Sequence, residues 1–198
     1  LHALGFRDPA AAERNVRSMA DDVALRPMLG RMADRLLSAL LKTPNPDAAL
    51  VGFARYLAAQ AAKTVFLEHV HDNPLALQVL ADVLGTSPFL TEILIRNPEH
   101  LLWLTAEIDR RGERTYGEEF VAPPASDAPA TPALDRVKRV KRRELLRIAT
   151  RDILGRETVQ SATAQLSDLA GWIISRTLAI VIPRLNQGEG RRRLPGRF

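Results

Sequence analysis

Apolar residues recur along this chain at three- and four-residue intervals, and most such stretches are announced by the same two-residue signal. A short polar residue or serine followed by proline occurs at Asp8-Pro9, Asn45-Pro46, Asn73-Pro74, Ser87-Pro88 and Asn97-Pro98. The polar side chain can accept from an orphan N–H of a helix start, and proline at the first helical position has no N–H to leave unsatisfied. After Asn73-Pro74 come Leu77, Leu80, Ala81 and Leu84, followed by Gly85; after Asn97-Pro98 come Leu101, Leu102, Leu104 and Ile108, followed by Gly112. The pattern predicts helices over 9–23, 26–42, 46–70 (with room for a break), 74–84, 88–95 and 98–110.

Beyond residue 111 the rhythm stops. Residues 112–133 hold Gly112, Gly117, Pro123, Pro124, Pro129 and Pro132 among Ala, Ser and Glu, the composition of a linker. Two long helices are expected after it, over 134–154 up to Gly155 and over 157–182 up to Pro183. Residues 184–198 are Arg- and Gly-rich and predict an unstructured tail. No Asn-Gly or Asp-Gly hairpin turn and no long alternating β-branched run occurs. The expectation is an all-α fold: a multi-helix bundle over 1–111, a Pro/Ala-rich linker over 112–133, a basic two-helix region over 134–183, and the tail.

Composition narrows the chemistry. The chain has 198 residues, 46% of them hydrophobic and 26% charged, which suits a folded domain rather than a disordered one. It has no cysteine, so thiolate catalysis, disulfides and Cys-based metal sites are excluded. No uninterrupted apolar run approaches the roughly 18 residues of a membrane helix. Arg7, Asp8 and Glu13 stand where a signal peptide would be apolar. These features predict a cytoplasmic protein without a membrane span.

The net charge of +5 hides an asymmetry. Residues 1–135 carry 13 Lys/Arg against 18 Asp/Glu, whereas residues 136–198 carry 15 against 5. Within the basic part, Arg139, Arg143, Arg147 and Arg151 recur every four residues. At about 100° per residue they form one slowly spiralling stripe, with Leu145, Ile148 and Ala149 on other faces. One reading is an anion- or nucleotide-proximal face. The other is a solvated face with local pairs such as Glu144–Arg147 and Asp152–Arg156. A basic helix can also bind nucleic acid or an acidic partner protein, although no aromatic residues interleave the arginines, which argues against single-stranded nucleic acid.

Other candidate chemistry is sparse. His69 and His71 are two apart and His2 and His100 are isolated, which is not a metal-ligand spacing. Trp103 and Trp172 lie within apolar helical patterns and read as packing residues. No G-x-S-x-G, P-loop or G-x-G-x-x-G occurs, and no Asp-x-Asp or Asp-x-Glu pair of the kind that holds catalytic magnesium.

Three stretches in order carry a resemblance: NPLALQVLADVLGTSPFLTEILIRNPE from Asn73 to Glu99, KRRELLRIATRDILG from Lys141 to Gly155, and QLSDLA from Gln165 to Ala170. With Gly5-Phe6-Arg7-Asp8-Pro9, they resemble the helical region of bacterial glutamine synthetase adenylyltransferases, over about residues 4–182. The resemblance implies the helical segment that precedes a nucleotidyltransferase domain. It implies a family that transfers AMP to and from a tyrosine of glutamine synthetase, using ATP and magnesium, under control of the PII signalling protein. The sequence departs from that pattern after QLSDLA: it ends in NQGEGRRRLPGRF, without the family's glycine-rich turn and Asp-x-Asp, and Gly171 stands where an acidic residue is common. The implied chain is a truncated member with no catalytic residue and no cofactor of its own. Its partners would be glutamine synthetase, the PII protein and the missing nucleotidyltransferase domain.

Overall fold

The computed structural model describes residues 5–110, 116 and 130–192, with residue 130 and residues 186–192 described by backbone only. The described residues form helices and connecting turns, with no strand among them. In chain order they are α1 (Pro9–Ala20), α2 (Arg26–Leu41), α3 (Pro46–Ala58), α4 (Lys63–Asp72), α5 (Pro74–Thr86), α6 (Pro88–Arg96), α7 (His100–Glu107), α8 (Ala130–Ile153) and α9 (Val159–Arg192). The fold is all-α.

Four of the five proline pairs act as expected. Asp8, Asn45, Asn73 and Ser87 accept from the backbone N–H of Ala11, Ala48, Ala76 and Leu90. Proline also forces the residue before it out of the helical region. Asn73 (φ −116°, ψ 93°) and Ser87 (φ −132°, ψ 107°) therefore each end one helix and cap the next. Single residues turn the chain between α4, α5 and α6. Asn97 differs. Its side-chain amide donates back to the Ile93 carbonyl, so it closes α6, and α7 starts after Glu99 without a side-chain cap. The predicted 46–70 helix is broken, α3 ending at Ala58 and α4 starting at Lys63.

The chain divides into two compact units: residues 1–110 with 149–157, and residues 111–148 with 158–198. In the first, α5 is the central helix, touching α2, α3, α4, α6 and α7. It is buried on nearly every face, from Ala76 and Leu77 through Leu84 and Gly85. Met28, Met32, Leu36 and Leu40 line the inner side of α2, and Phe53, Tyr56 and Phe66 join them in the core. The Phe66 and Tyr56 rings meet edge-on at 5.2 Å, and the Tyr56 hydroxyl donates to the Pro98 carbonyl at 2.6 Å. Asp47, in the first turn of α3, accepts from the backbone N–H groups of Arg7 and Asp8, each at 3.0 Å. Burial pushes the Asp47 carboxyl up, but these two donors outweigh it and hold the group below its usual range.

In the second unit, α8 and α9 share an apolar cluster of Ala133, Val137, Ile148, Ala162, Leu169, Trp172 and Ile180. Trp172 packs in it, as the apolar pattern around it predicts; Trp103, in the first unit, is half-buried beside His100. Gly155, with φ +65°, ends α8 as expected. The Arg156 N–H reaches back to the Arg151 carbonyl and that of Gly155 to Asp152, a left-handed glycine cap. Thr158 then caps α9 through Ser161 N–H.

Two expectations need correction. α8 begins at Ala130, so residues 130–133 of the expected linker are helical, Pro132 being tolerated in a first turn. Most of the remaining linker lies outside the described residues. The second correction concerns α9, which does not stop at Pro183 but runs on through most of the expected tail to Arg192. The proline costs one backbone bond, while the Arg184 guanidinium bonds the Ile180 carbonyl. Residues 193–198 of the tail lie outside the described residues. By length and composition alone, one helix among the described residues, α9 over Val159–Leu185, reaches the apolarity of a bilayer-crossing segment. Its apolar residues are interrupted by Gln165, Asp168 and Arg176.

Gly85 does not end α5 as the sequence suggested. A Cβ built there would lie 2.4 Å from Cβ of the buried Thr43, where the turn after α2 crosses the helix. The glycine is there for close approach, not for its conformational freedom. Gly85→Ala is expected to cost about 1–3 kcal/mol, the range for overpacking. Adding Thr43→Gly should make the double variant lose less than the two single losses together, as read by urea denaturation. Full additivity would contradict the contact.

Candidate functional site

The arginine stripe is the feature of the sequence that points most clearly to chemistry, and the structure splits it in two. Arg139 is exposed and Arg143 half-buried on the N-terminal half of α8, alongside the exposed Arg136, Lys138, Lys141 and Arg142. Arg147 and Arg151 are buried, at 5% and 7% exposure. The reason lies in what meets each turn of the helix.

Arg147 belongs to the second unit. Its Nε donates to Glu144 Oε2 at 2.8 Å and its Nη2 to Gln165 Oε1 on α9 at 3.0 Å. The Gln165 amide in turn donates to Ser161 Oγ at 3.1 Å, and the Tyr116 hydroxyl donates to the same Glu144 oxygen at 3.1 Å. The Tyr116 ring lies 6.0 Å from that of Trp172. Glu144 is 1% exposed, so this is an ion pair taken out of water and closed by neutral partners. Burial lowers the Arg147 pKa, but the bond and charge of Glu144 outweigh it, and the guanidinium is held more firmly charged than usual. Burial first, and the Glu144 charge second, push the Tyr116 hydroxyl up to about 12, so it remains a donor at neutral pH.

Arg151 belongs to the first unit. Its Nη1 donates to the carbonyls of Ile108 (2.6 Å) and Arg110 (2.8 Å), and its Nε to Glu157 at 2.5 Å. The last carbonyls of a helix lack partners within it. Arg151 supplies them at the end of α7, while Glu157 neutralises its charge. Next to it, Arg156 pairs with Asp109 rather than with the expected Asp152, so the chain beyond α7 is held by two arginines from beyond the expected linker. The Glu144–Arg147 pair forms as the local reading expected, but inside the unit instead of on a solvated face.

Sequence reasoning did not pick out Tyr116, which lies in the expected linker, or Glu157 and Gln165 as partners of the stripe. Gln165 was visible only as the first residue of QLSDLA; nothing local marks Tyr116. Among the described histidines, His69 and His71 lie on α4 and His100 opens α7, and His2 lies outside the described residues.

α9 presents a second surface. Its inner face carries Ala162, Gln165, Leu169, Trp172 and Ile180, whereas Leu166, Ile174, Leu178, Ile182 and Leu185 are exposed. They follow one another at spacings of three, four or eight residues and so share one side of the helix. Single exposed apolar residues are ordinary, but a row of five is the pattern of an interaction surface.

Comparison with known proteins follows the same lines. A family profile described as "Glutamate-ammonia ligase adenylyltransferase" matches residues 77–192. The chain is 31% identical over its whole length to a "Bifunctional glutamine synthetase adenylyltransferase/adenylyl-removing enzyme" of Nocardia farcinica, of which it covers 20%. It is 29% identical over 92% of its length to the protein of that name in Streptomyces avermitilis, covering 19% of it. A third, in Thioalkalivibrio sulfidiphilus, is 26% identical over 98% of the chain and 21% covered. The chain thus spans about a fifth of the length of the curated relatives it matches. No solved structure matches it.

If the inner half of the stripe is a structural pair, removing one charge should hurt more than removing both. Glu144→Leu or Arg147→Met alone is expected to cost about 3–5 kcal/mol, by stranding the other buried charge. The double variant should recover most of that loss in thermal or urea denaturation. Losses that simply add would contradict the buried pair.

Proposed function

Because the chain belongs to the glutamate-ammonia ligase adenylyltransferase family, we propose that it serves as a helical, non-catalytic part of a protein that transfers AMP to and from glutamine synthetase. The match of family and relatives across the chain carries this reading. The residues present do not fit a magnesium–ATP site. No Asp-x-Asp or Asp-x-Glu pair occurs in the sequence, and among the described residues no three His, Asp or Glu side chains converge. ATP and magnesium are therefore assigned to a nucleotidyltransferase domain outside these 198 residues. Regulation by the PII protein is assigned to the larger assembly as well.

The role left to this chain is positional. The row of Leu166, Ile174, Leu178, Ile182 and Leu185 is the surface on which the catalytic domain would rest. The anchored Arg147 ties α8 to α9, Arg151 fixes the end of α7, and the exposed Arg139 is the member of the stripe that an anionic group could reach. A second reading is supported by the cluster of exposed basic residues from Arg136 to Arg142: an interaction module for an acidic partner surface. The mixed acidic and basic halves of the chain favour it over a nucleic-acid binder.

Transfer of label from radioactive ATP to glutamine synthetase, with magnesium, tests the reading. The isolated chain is expected to give no incorporation above a no-protein blank. Added to the Nocardia farcinica relative from which the matched region has been deleted, it is expected to restore transfer, and Leu178→Asp to abolish most of that restoration. Transfer by the isolated chain, or equal restoration by Leu178→Asp, would contradict it.

A further inference from the structure

The first unit holds a polar cleft of about 430 Å³ between α2 and α5. The two helices run in the same direction. Arg35 Nη1 donates to the His71 carbonyl at 2.9 Å, just before α5 begins, and Thr43, just after α2 ends, meets Gly85 near the end of α5. Asp34, Ser38 and Lys42 follow one another four residues apart along one edge of the cleft, and Gln78 and Asp82 along the other. Ala39, Pro74 and Leu77 supply the apolar part of the lining. From Asp34 to Lys42 the edge covers about 12 Å of helix.

Among the described residues, none of the five polar side chains on these edges has a hydrogen bond or ion pair. Asp34, Ser38, Lys42 and Gln78 are exposed, and water serves them. Asp82 is different: it is half-buried, and burial pushes its carboxyl up with no donor and no cation to offset the shift. A carboxylate partly withdrawn from water is ordinarily matched by a donor or a positive charge. The Lys42 ammonium lines the same cleft without pairing with Asp82, so the two charges stand apart. With Asp34 and Arg35, the lining carries two carboxylates and two cations, a balance that favours neither a plain anion nor a plain cation.

We propose that this cleft binds a small zwitterion whose ammonium and carboxylate sit at opposite ends of a short carbon chain, an ω-amino acid. The ammonium meets Asp82, the carboxylate meets Lys42, and the carbon chain lies over Ala39 and Leu77. An α-amino acid, with both charges on one carbon, is too short to meet the two. None of these residues belongs to α8 or α9, which carry the stripe and the row of the proposed function.

The probe is 5-aminopentanoate, with three controls: pentanoate lacks the ammonium, pentylamine lacks the carboxylate, and norvaline is the α-amino isomer. Each is titrated at neutral pH and constant ionic strength into the full 198-residue chain and followed by amide chemical shifts in two-dimensional NMR. The probe is expected to give saturable shifts confined to residues 34–42 and 74–82. Each control is expected to bind about tenfold more weakly, the effect of one lost charged hydrogen bond. Equal affinity for any control, unsaturable shifts, or shifts centred elsewhere would overturn the proposal. Asp82→Asn keeps the shape and removes the charge, so the probe should then bind no better than pentanoate. Lys42 is exposed, so Lys42→Met tests the other end without disturbing the core, and the probe should then bind no better than pentylamine. A folded variant of either kind that keeps the original preference would also overturn it.

Discussion

A guanidinium withdrawn from water keeps its charge, so its counter-charge and its acceptors must be withdrawn with it. That constraint governs the basic helix of this protein. Arg147 and Arg151 stand one turn apart on α8, and each is enclosed with a carboxylate: Glu144 for one, Glu157 for the other. Neutral acceptors complete each set, the Gln165 side chain for Arg147 and the carbonyls of Ile108 and Arg110 for Arg151. α8 contributes residues to both compact units, and in each it is the arginine that ties distant segments of chain together. Arg147 joins α8 to α9, and Arg151 fixes the end of α7. A periodic basic stripe is thus two structures in succession, an open half that faces solvent and a closed half that holds the fold.

Backbone chemistry sets the remaining order. Proline fixes the residue before it in an extended conformation, and when that residue is Asn or Ser it also caps the helix that follows. At Asn73 and Ser87 one residue therefore ends a helix, bends the chain and starts the next. This packs short helices around α5 with almost no loop between them, and α5 answers with small residues where neighbours come close. Gly85 against the Thr43 side chain is the tightest of these approaches.

Helix type and most boundaries were legible because they depend on local signals: the caps, the apolar spacing and the left-handed Gly155. What was not legible depends on residues distant in sequence. Nothing near Arg147 or Arg151 says that Gln165 or the carbonyl of Ile108 will cover it, so a buried half and a solvated half read alike. Tyr116 sits among linker-like residues, yet its ring packs beside Trp172 and its hydroxyl meets Glu144. Asn97 has the same local signature as Asn73, but its side chain bonds back to Ile93 and closes a helix instead of opening one. At Pro183 the local rule failed in the other direction, since one missing backbone bond did not stop the helix, which runs on to Arg192. The exposed row on α9 is readable as a periodicity only once the buried side of the helix is known.

The resulting picture is of a helical member of the adenylyltransferase family whose charge is partly internal framework and partly open surface, with an apolar helix face still to be covered. The arginine Nε–H signals test that division most directly, by NMR of the labelled chain with and without magnesium–ATP. Those of Arg147 and Arg151 should exchange slowly with water and stay in place when the nucleotide is added, while that of Arg139 exchanges fast. Fast exchange at Arg147 and Arg151, or shifts there on adding the nucleotide, would mean that the whole stripe is an anion-binding face and would contradict the account.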